Sequence, residues 1–289
     1  MKKNIQAIYK ILVFLIIFEF ILINKESKSF FPKINEPTQN ELKYTSKQIG
    51  KTAIQLIQFN QNDEAIKLLK LALKLNRKEK DLWIILGEAQ IRANKKYEAL
   101  YSLNEAINLK PREESVYFTK ASLYMDLNQP EKAKISIKNG LEINKNSDRG
   151  YFQLGNASIM LNDYNSALSA FRKSSKINSQ FWQSINNEGL ILYELDNYKE
   201  ALSKFKSALK ISNDAEPMLA LAIVLFTTSN NSIESINLAK KALKLNPQYV
   251  STEYQAKQLW GEKIQKSAKL LFKKQEMKNV VREAYEKSQ

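Results

Sequence analysis

The chain has 289 residues, enough for one or two ordinary domains; 44% apolar and 26% charged residues suit a folded protein, and 7 Gly with 6 Pro leave little turn punctuation for a many-stranded β fold. It contains no Cys and no His, which excludes disulfides, thiolate metal sites, a cysteine nucleophile, a lipoprotein cysteine and imidazole chemistry. The net charge of +15 is carried by lysine, since only Arg77, Arg92, Arg112, Arg149, Arg172 and Arg282 are arginines, so the planar bidentate donors favoured in nucleic-acid readers are scarce and the abundance of Lys, Asn and Ile fits an AT-rich genome.

Residues 11–23 read ILVFLIIFEFILI and follow Lys2, Lys3 and Lys10. Thirteen residues would suit a signal-peptide core, but extending back to Ile5 gives a stretch of about 28 Å as helix, close to bilayer thickness. Glu19 opposes insertion by at most about 3 kcal/mol, against roughly 4–7 kcal/mol in favour from its apolar neighbours. The nearest small-x-small triplet, Ser27-Lys28-Ser29, has lysine at its centre. Retention of residues 1–24 as a membrane anchor, with 5–23 in the bilayer, is therefore favoured over a cleaved signal. The flanking lysines tie, Lys2, Lys3 and Lys10 against Lys25, Lys28 and Lys33. A short basic tail ahead of the first apolar segment usually stays cytoplasmic, which puts the rest of the chain on the non-cytoplasmic side. Residues 25–45, interrupted by Pro32 and Pro37, read as a linker.

From residue 46 the chain repeats every 34 residues in six units: 46–79, 80–113, 114–147, 148–181, 182–215 and 216–249. Position 20 of the unit is Ala65, Ala99, Ala133, Ala167, Ala201 and Ser235, and position 27 is Ala72, Ala106, Gly140, Ser174, Ala208 and Ala242. Position 8 is Ala53, Gly87, Ala121, Gly155 and Gly189 before breaking at Ile223, whereas position 24 is Leu69, Leu103, Ile137, Phe171, Phe205 and Ala239. Small residues recur where two helices must approach, and large ones where the gap must be filled. Asn128-Gln129-Pro130 and Asn162-Asp163 are turn chemistry between the two helices of a unit.

This register resembles the tetratricopeptide repeat, with its 34-residue period and W-x2-L-G-x2-Y, Ala, Phe, Pro signature. The second unit matches through Trp83, Leu86, Gly87, Ala99, Ala106 and Pro111; Tyr117 and Tyr151 replace the tryptophan in the next two, and Pro247 closes the sixth. The resemblance implies an all-α, right-handed solenoid of paired A and B helices, the A helices lining a concave face. Residues 250–289 read as a capping segment and tail. In it one long polar helix, about Ser251 to Tyr285, is expected, with Tyr254, Leu259, Ile264, Leu270 and Leu271 on its apolar side. Gln258-Leu259-Trp260-Gly261 and the single-anchor layout faintly resemble membrane-anchored repeat proteins of photosynthetic bacteria.

No Gly-rich phosphate loop is present, and without His no triad or HExxH site can form. An enzyme, a metal and a cofactor are all unexpected. The family resemblance places partner contacts at positions 2, 5, 6, 9, 12 and 13 of helix A. Those chosen as a partner-binding groove are Phe118, Thr119, Ser122, Phe152, Gln153, Asn156, Asn186 and Asn187. Their amides offer donors and acceptors to an extended peptide backbone, although Phe118 and Phe152 equally suit helix–helix packing. The carboxylate clamp for acidic chaperone tails is not expected. Asn156 and Asn187 match two of its places, but Phe152, Pro217 and Leu221 stand where the other residues of the clamp are required. The expected function is a membrane-anchored scaffold or adaptor for a protein or peptide partner, in service of membrane-complex assembly. The alternative is a charge-driven binder of an anionic membrane surface or of nucleic acid, through lysine-rich faces such as Lys263 to Lys278.

Overall fold

The computed structural model describes residues 36–228 and 232–288. The expected anchor at 5–23 lies outside them. Among the described residues no helix is long and apolar enough to cross a membrane.

Helices account for most of the described chain, and no strand occurs among the described residues. Six A/B pairs follow one another: α1 Gln39–Gln58 with α2 Asn62–Leu75, α3 Lys80–Arg92 with α4 Lys96–Leu109, α5 Glu114–Asp126 with α6 Pro130–Ile143, α7 Asp148–Met160 with α8 Tyr164–Ile177, α9 Trp182–Glu194 with α10 Tyr198–Ile211, and α11 Ala215–Thr228 with α12 Ser232–Leu245. The B helices begin at 62, 96, 130, 164, 198 and 232, steps of 34.

Local chemistry explains the pairs. Two residues past the end of each A helix up to the fifth stands a residue in the left-handed region, Asn60, Asn94, Asn128, Asn162 and Asp196, with φ between 54° and 62°. Asn and Asp tolerate that conformation better than other side-chain-bearing residues. Side chains of Ser147, Asp163 and Asn197 then cap α7, α8 and α10. Pairing rests on the small-against-large register: Ala99, Ala133, Ala167 and Ala201 are fully buried. Gly155 faces the Phe171 ring and Gly189 the Phe205 ring so closely that an added methyl would collide with either.

The described residues form two compact units, one running to Arg112 and one starting at Glu113. The first holds α1–α4, with α3 packed between α2 and α4. In the second, α7 packs against α6 and α8, and α9 against α8 and α10.

The C-terminal segment corrects the expectation of one long helix. A 3-10 turn at Pro247–Val250 leads into α13 Thr252–Lys257, α14 Glu262–Phe272, a 3-10 turn at Gln275–Met277 and α15 Lys278–Ser288. The first break falls at Leu259, whose φ of 62° is strained for a branched side chain. Burial of Trp260, 3% exposed, offsets that strain. Ile264, Ala268 and Leu271 face the core, while Leu270 points outward at 57% exposure. Helix α14 does not extend the stack; it packs against α9 and α11, the A helices of the fifth and sixth repeats.

Candidate partner-binding groove

On α5 and α7 the A-helix face remains partly open. Phe118, Thr119, Ser122, Phe152, Gln153 and Asn156 are all half-buried. Phe118 wedges between α6 and α7: methyl groups added to Gly140 or Gly150 would come within 2.6 Å and 2.7 Å of its ring. Phe152 lies 4.9 Å from Phe181 and 5.7 Å from Phe171, ring centre to ring centre. Both aromatics therefore fill helix–helix gaps and are only partly exposed. The polar groups between them are organised by each other. Gln153 Nε2 donates to Ser122 Oγ at 2.7 Å and to the Phe118 carbonyl at 3.2 Å, and Thr119 Oγ1 donates to the Ser115 carbonyl at 2.9 Å.

The fifth repeat behaves differently. Asn187 Nδ2 donates to Asn156 Oδ1 at 3.3 Å, and Asn186 Nδ2 to Asn187 Oδ1 at 3.4 Å. Asn187 is 8% exposed and Asn186 fully buried. They form the inner end of an amide ladder rather than open contact surface, which corrects the expectation that both project outward. The ladder continues from Asn186 to the Glu216 carboxylate, which also accepts from the Tyr249 hydroxyl and, at 2.9 Å, from Trp260 Nε1. Burial pushes the Glu216 carboxyl above its usual range, and these three hydrogen bonds oppose the shift.

What covers the fifth and sixth repeats is the chain itself. Glu194, at the end of α9, accepts from the backbone N–H groups of Lys263 at 3.1 Å and Ile264 at 2.9 Å. It thereby caps a helix that lacks a side-chain cap of its own. Lys263 Nζ returns to the Glu194 carbonyl and to Asp196, both at 2.7 Å. That contact and the Tyr198 hydroxyl hold the Asp196 carboxyl below its ordinary range. The Tyr193 hydroxyl bonds Ser267 at 2.8 Å and Thr227 at 2.7 Å. Leu259 packs against the cluster of Ile159, Ala167, Phe171 and Ile191, which joins α7, α8 and α9.

Glu194, Trp260 and Glu216 were not singled out from the sequence as a set. One signal was available: residues 217–226 read PMLALAIVLF, apolar without a break, and a helix apolar all round must be covered all round. At the clamp positions Pro217 is buried and Leu221 is 5% exposed, so neither presents a cation.

The family model described as the tetratricopeptide repeat protein 21 C-terminal ARM domain matches residues 88–255. No curated protein matches the chain. Among solved structures, PilF of Pseudomonas aeruginosa is 16% identical with a TM-score of 0.61, covering 76% of this chain and 99% of that one. PilW, a type IV pilus biogenesis factor, is 16% identical with a TM-score of 0.56, covering 76% and 97%. YrrB, a TPR protein with an unusual peptide-binding site, is 16% identical with a TM-score of 0.52, covering 65% and 97%. At such identities the likeness concerns the fold alone.

Proposed function

Since the chain belongs to the tetratricopeptide-repeat family, we propose that it is a non-catalytic scaffold that holds a segment of a protein partner on the open face of α5 and α7, tethered to a membrane through residues 5–23. The observation that carries this reading is the seat of α14. The A-helix face of the fifth and sixth repeats already takes a polypeptide segment: apolar Ile264, Ala268 and Leu271 face inward, and Glu194 engages main-chain N–H groups. The same face of α5 and α7 offers Thr119, Ser122, Gln153 and Asn156 to a segment from elsewhere. YrrB, of similar fold, is described as peptide-binding, and PilW, also of similar fold, as a biogenesis factor; service in the assembly of a membrane complex fits the tether.

Photocrosslinking residues placed at Thr119 and Gln153 of the full chain in native membranes test the reading. Both positions should capture one and the same protein, while Ser203, exposed on α10, captures none of it. Capture should persist when irradiation is carried out in 0.5 M salt, because contacts buried under a peptide are screened little. Equal capture from Ser203, or capture abolished by salt, rejects the groove in favour of a charge-driven surface.

A further inference from the structure

Helix α7 has a second face. Tyr151, Leu154 and Ser158, spaced i, i+3 and i+7, share a side opposite Gln153 and Asn156. They floor a cleft of about 450 Å³ walled by α6 and α8, a size in the range of ligand pockets. Lys134 and Lys138 stand on one wall and Lys173 on the other, and no acidic residue lines it. Lys134 has Asp163 at 3.5 Å, and Lys173 lies 5.8 Å over the Tyr151 ring. Neither Lys138 nor Lys173 has a carboxylate partner among the described residues. On the floor Ser158 is fully buried, and its hydroxyl has no hydrogen-bond partner. Buried hydroxyls ordinarily find one.

The repeat supplies comparisons. One unit further on, Glu188 replaces Leu154; it is fully buried and paired with Lys204 at 2.6 Å. Leu192 there replaces Ser158, and Arg172 is bound by Glu200 at 2.7 Å. Two units earlier the equivalent groove carries Lys70 and Arg77, paired with Glu98 at 3.5 Å and Glu105 at 3.2 Å. In both, the named cations meet carboxylates of the chain's own; in the α6–α8 cleft Lys138 and Lys173 do not.

We infer that the α6–α8 cleft is a second binding site, taking alternate acidic side chains of an extended peptide segment from a protein partner. Lys134 and Lys138 are one helical turn apart, about 6 Å along α6. Side chains on one side of an extended strand recur at about 6.6 Å. Carboxylates at alternate positions thus meet the two ammonium groups in turn, the one at Lys134 sharing it with Asp163, with Lys173 facing them across the cleft. Tyr151, Leu154 and Ala170 accept the apolar stems. A compact phosphate would engage one point of this spread and leave the apolar floor uncovered. The site lies on the other side of α7 from the groove and does not depend on it.

The probe is a fluorescent peptide of alternating glutamate and serine, measured by anisotropy against the full chain. Lys138→Glu with Lys173→Glu should weaken binding by about tenfold or more, whereas Lys199→Glu with Lys206→Glu, an equal charge change on exposed positions of α10, should alter it by no more than about twofold. Equal loss in both variants reduces the binding to net charge and overturns the site; so does wild-type binding by the first variant. Displacement by inorganic phosphate at constant ionic strength also overturns it. A photoreactive peptide reads position without any substitution: adducts on α6 and α8 support the cleft, and adducts on α14 or in the groove of α5 and α7 reject it.

Discussion

Glu216 and Ala167 show how single side chains set this molecule's energetics. Burial raises the folded pKa of Glu216 above its unfolded value, so the folded state binds a proton that the unfolded state has lost. Its contribution to stability is fully present below the ordinary carboxyl range and falls as pH rises through the raised value. The stability of the wild type relative to Glu216→Gln should therefore decline from mildly acidic toward neutral pH, as measured by urea unfolding at several pH values. A difference that grows with pH would mean the hydrogen bonds from Trp260, Tyr249 and Asn186 outweigh burial. Ala167, fully buried beside Phe171, occupies a tight helix crossing. Replacing it by Leu should cost about 1–3 kcal/mol by overpacking; a neutral result in thermal melts would contradict the helix–helix register.

Helix α14 belongs to the core as much as to the surface. Trp260, Ile264, Ala268 and Leu271 join Leu190, Tyr193 and Ile223 in one buried cluster, and Glu194 supplies the cap that Gly261 cannot. Gly261 itself sits in close approach, since an added methyl would displace the Glu194 carboxylate that caps the helix. Trp260→Ala should cost about 3–5 kcal/mol, as for other large-to-small changes in cores. Glu194→Ala should cost about 1–2 kcal/mol through the lost cap. Denaturant titration followed by circular dichroism measures both. If Trp260→Ala unfolds at the wild-type midpoint, α14 is a loosely seated strap. The seat also limits the proposed groove: α14 covers α9 and α11, so the proposed partner segment would be confined to the face of α5 and α7 and, further along, to α14 itself.

At the scale of the whole chain, membrane attachment and partner binding are separate proposals. The full chain should stay with membranes after high-salt and alkaline washing, and a chain starting at residue 25 should remain in the supernatant. Release of the full chain by the alkaline wash would show that residues 5–23 do not span. Protease digestion of sealed vesicles determines the side on which the repeats lie; protection is expected when the vesicles retain the non-cytoplasmic face inside.

The 34-residue register was legible in the order of residues because helix pairing is a local, repeated problem: Ala99, Ala133, Ala167 and Ala201 recur wherever two helices cross, and Gly155 needs Phe171 sixteen positions later. Asn and Asp at the left-handed turns follow the same logic. The fate of residues 251–288 was not legible in that way. Their helical periodicity is satisfied equally by one long helix or by several short ones. The choice falls to partners far along the chain: Glu194 for the N–H groups of α14, Glu216 for Trp260, Tyr193 for Ser267. The same contacts decide which A-helix positions are covered. Asn186 and Asn187 occupy A-helix positions equivalent to Phe152 and Gln153, yet one pair is roofed by the C-terminal segment and the other is half open. Spacing along a helix determines which face a residue shares, whereas what lies over that face is decided by tertiary packing, because burial of α11 on both sides requires an apolar surface that only a returning segment supplies.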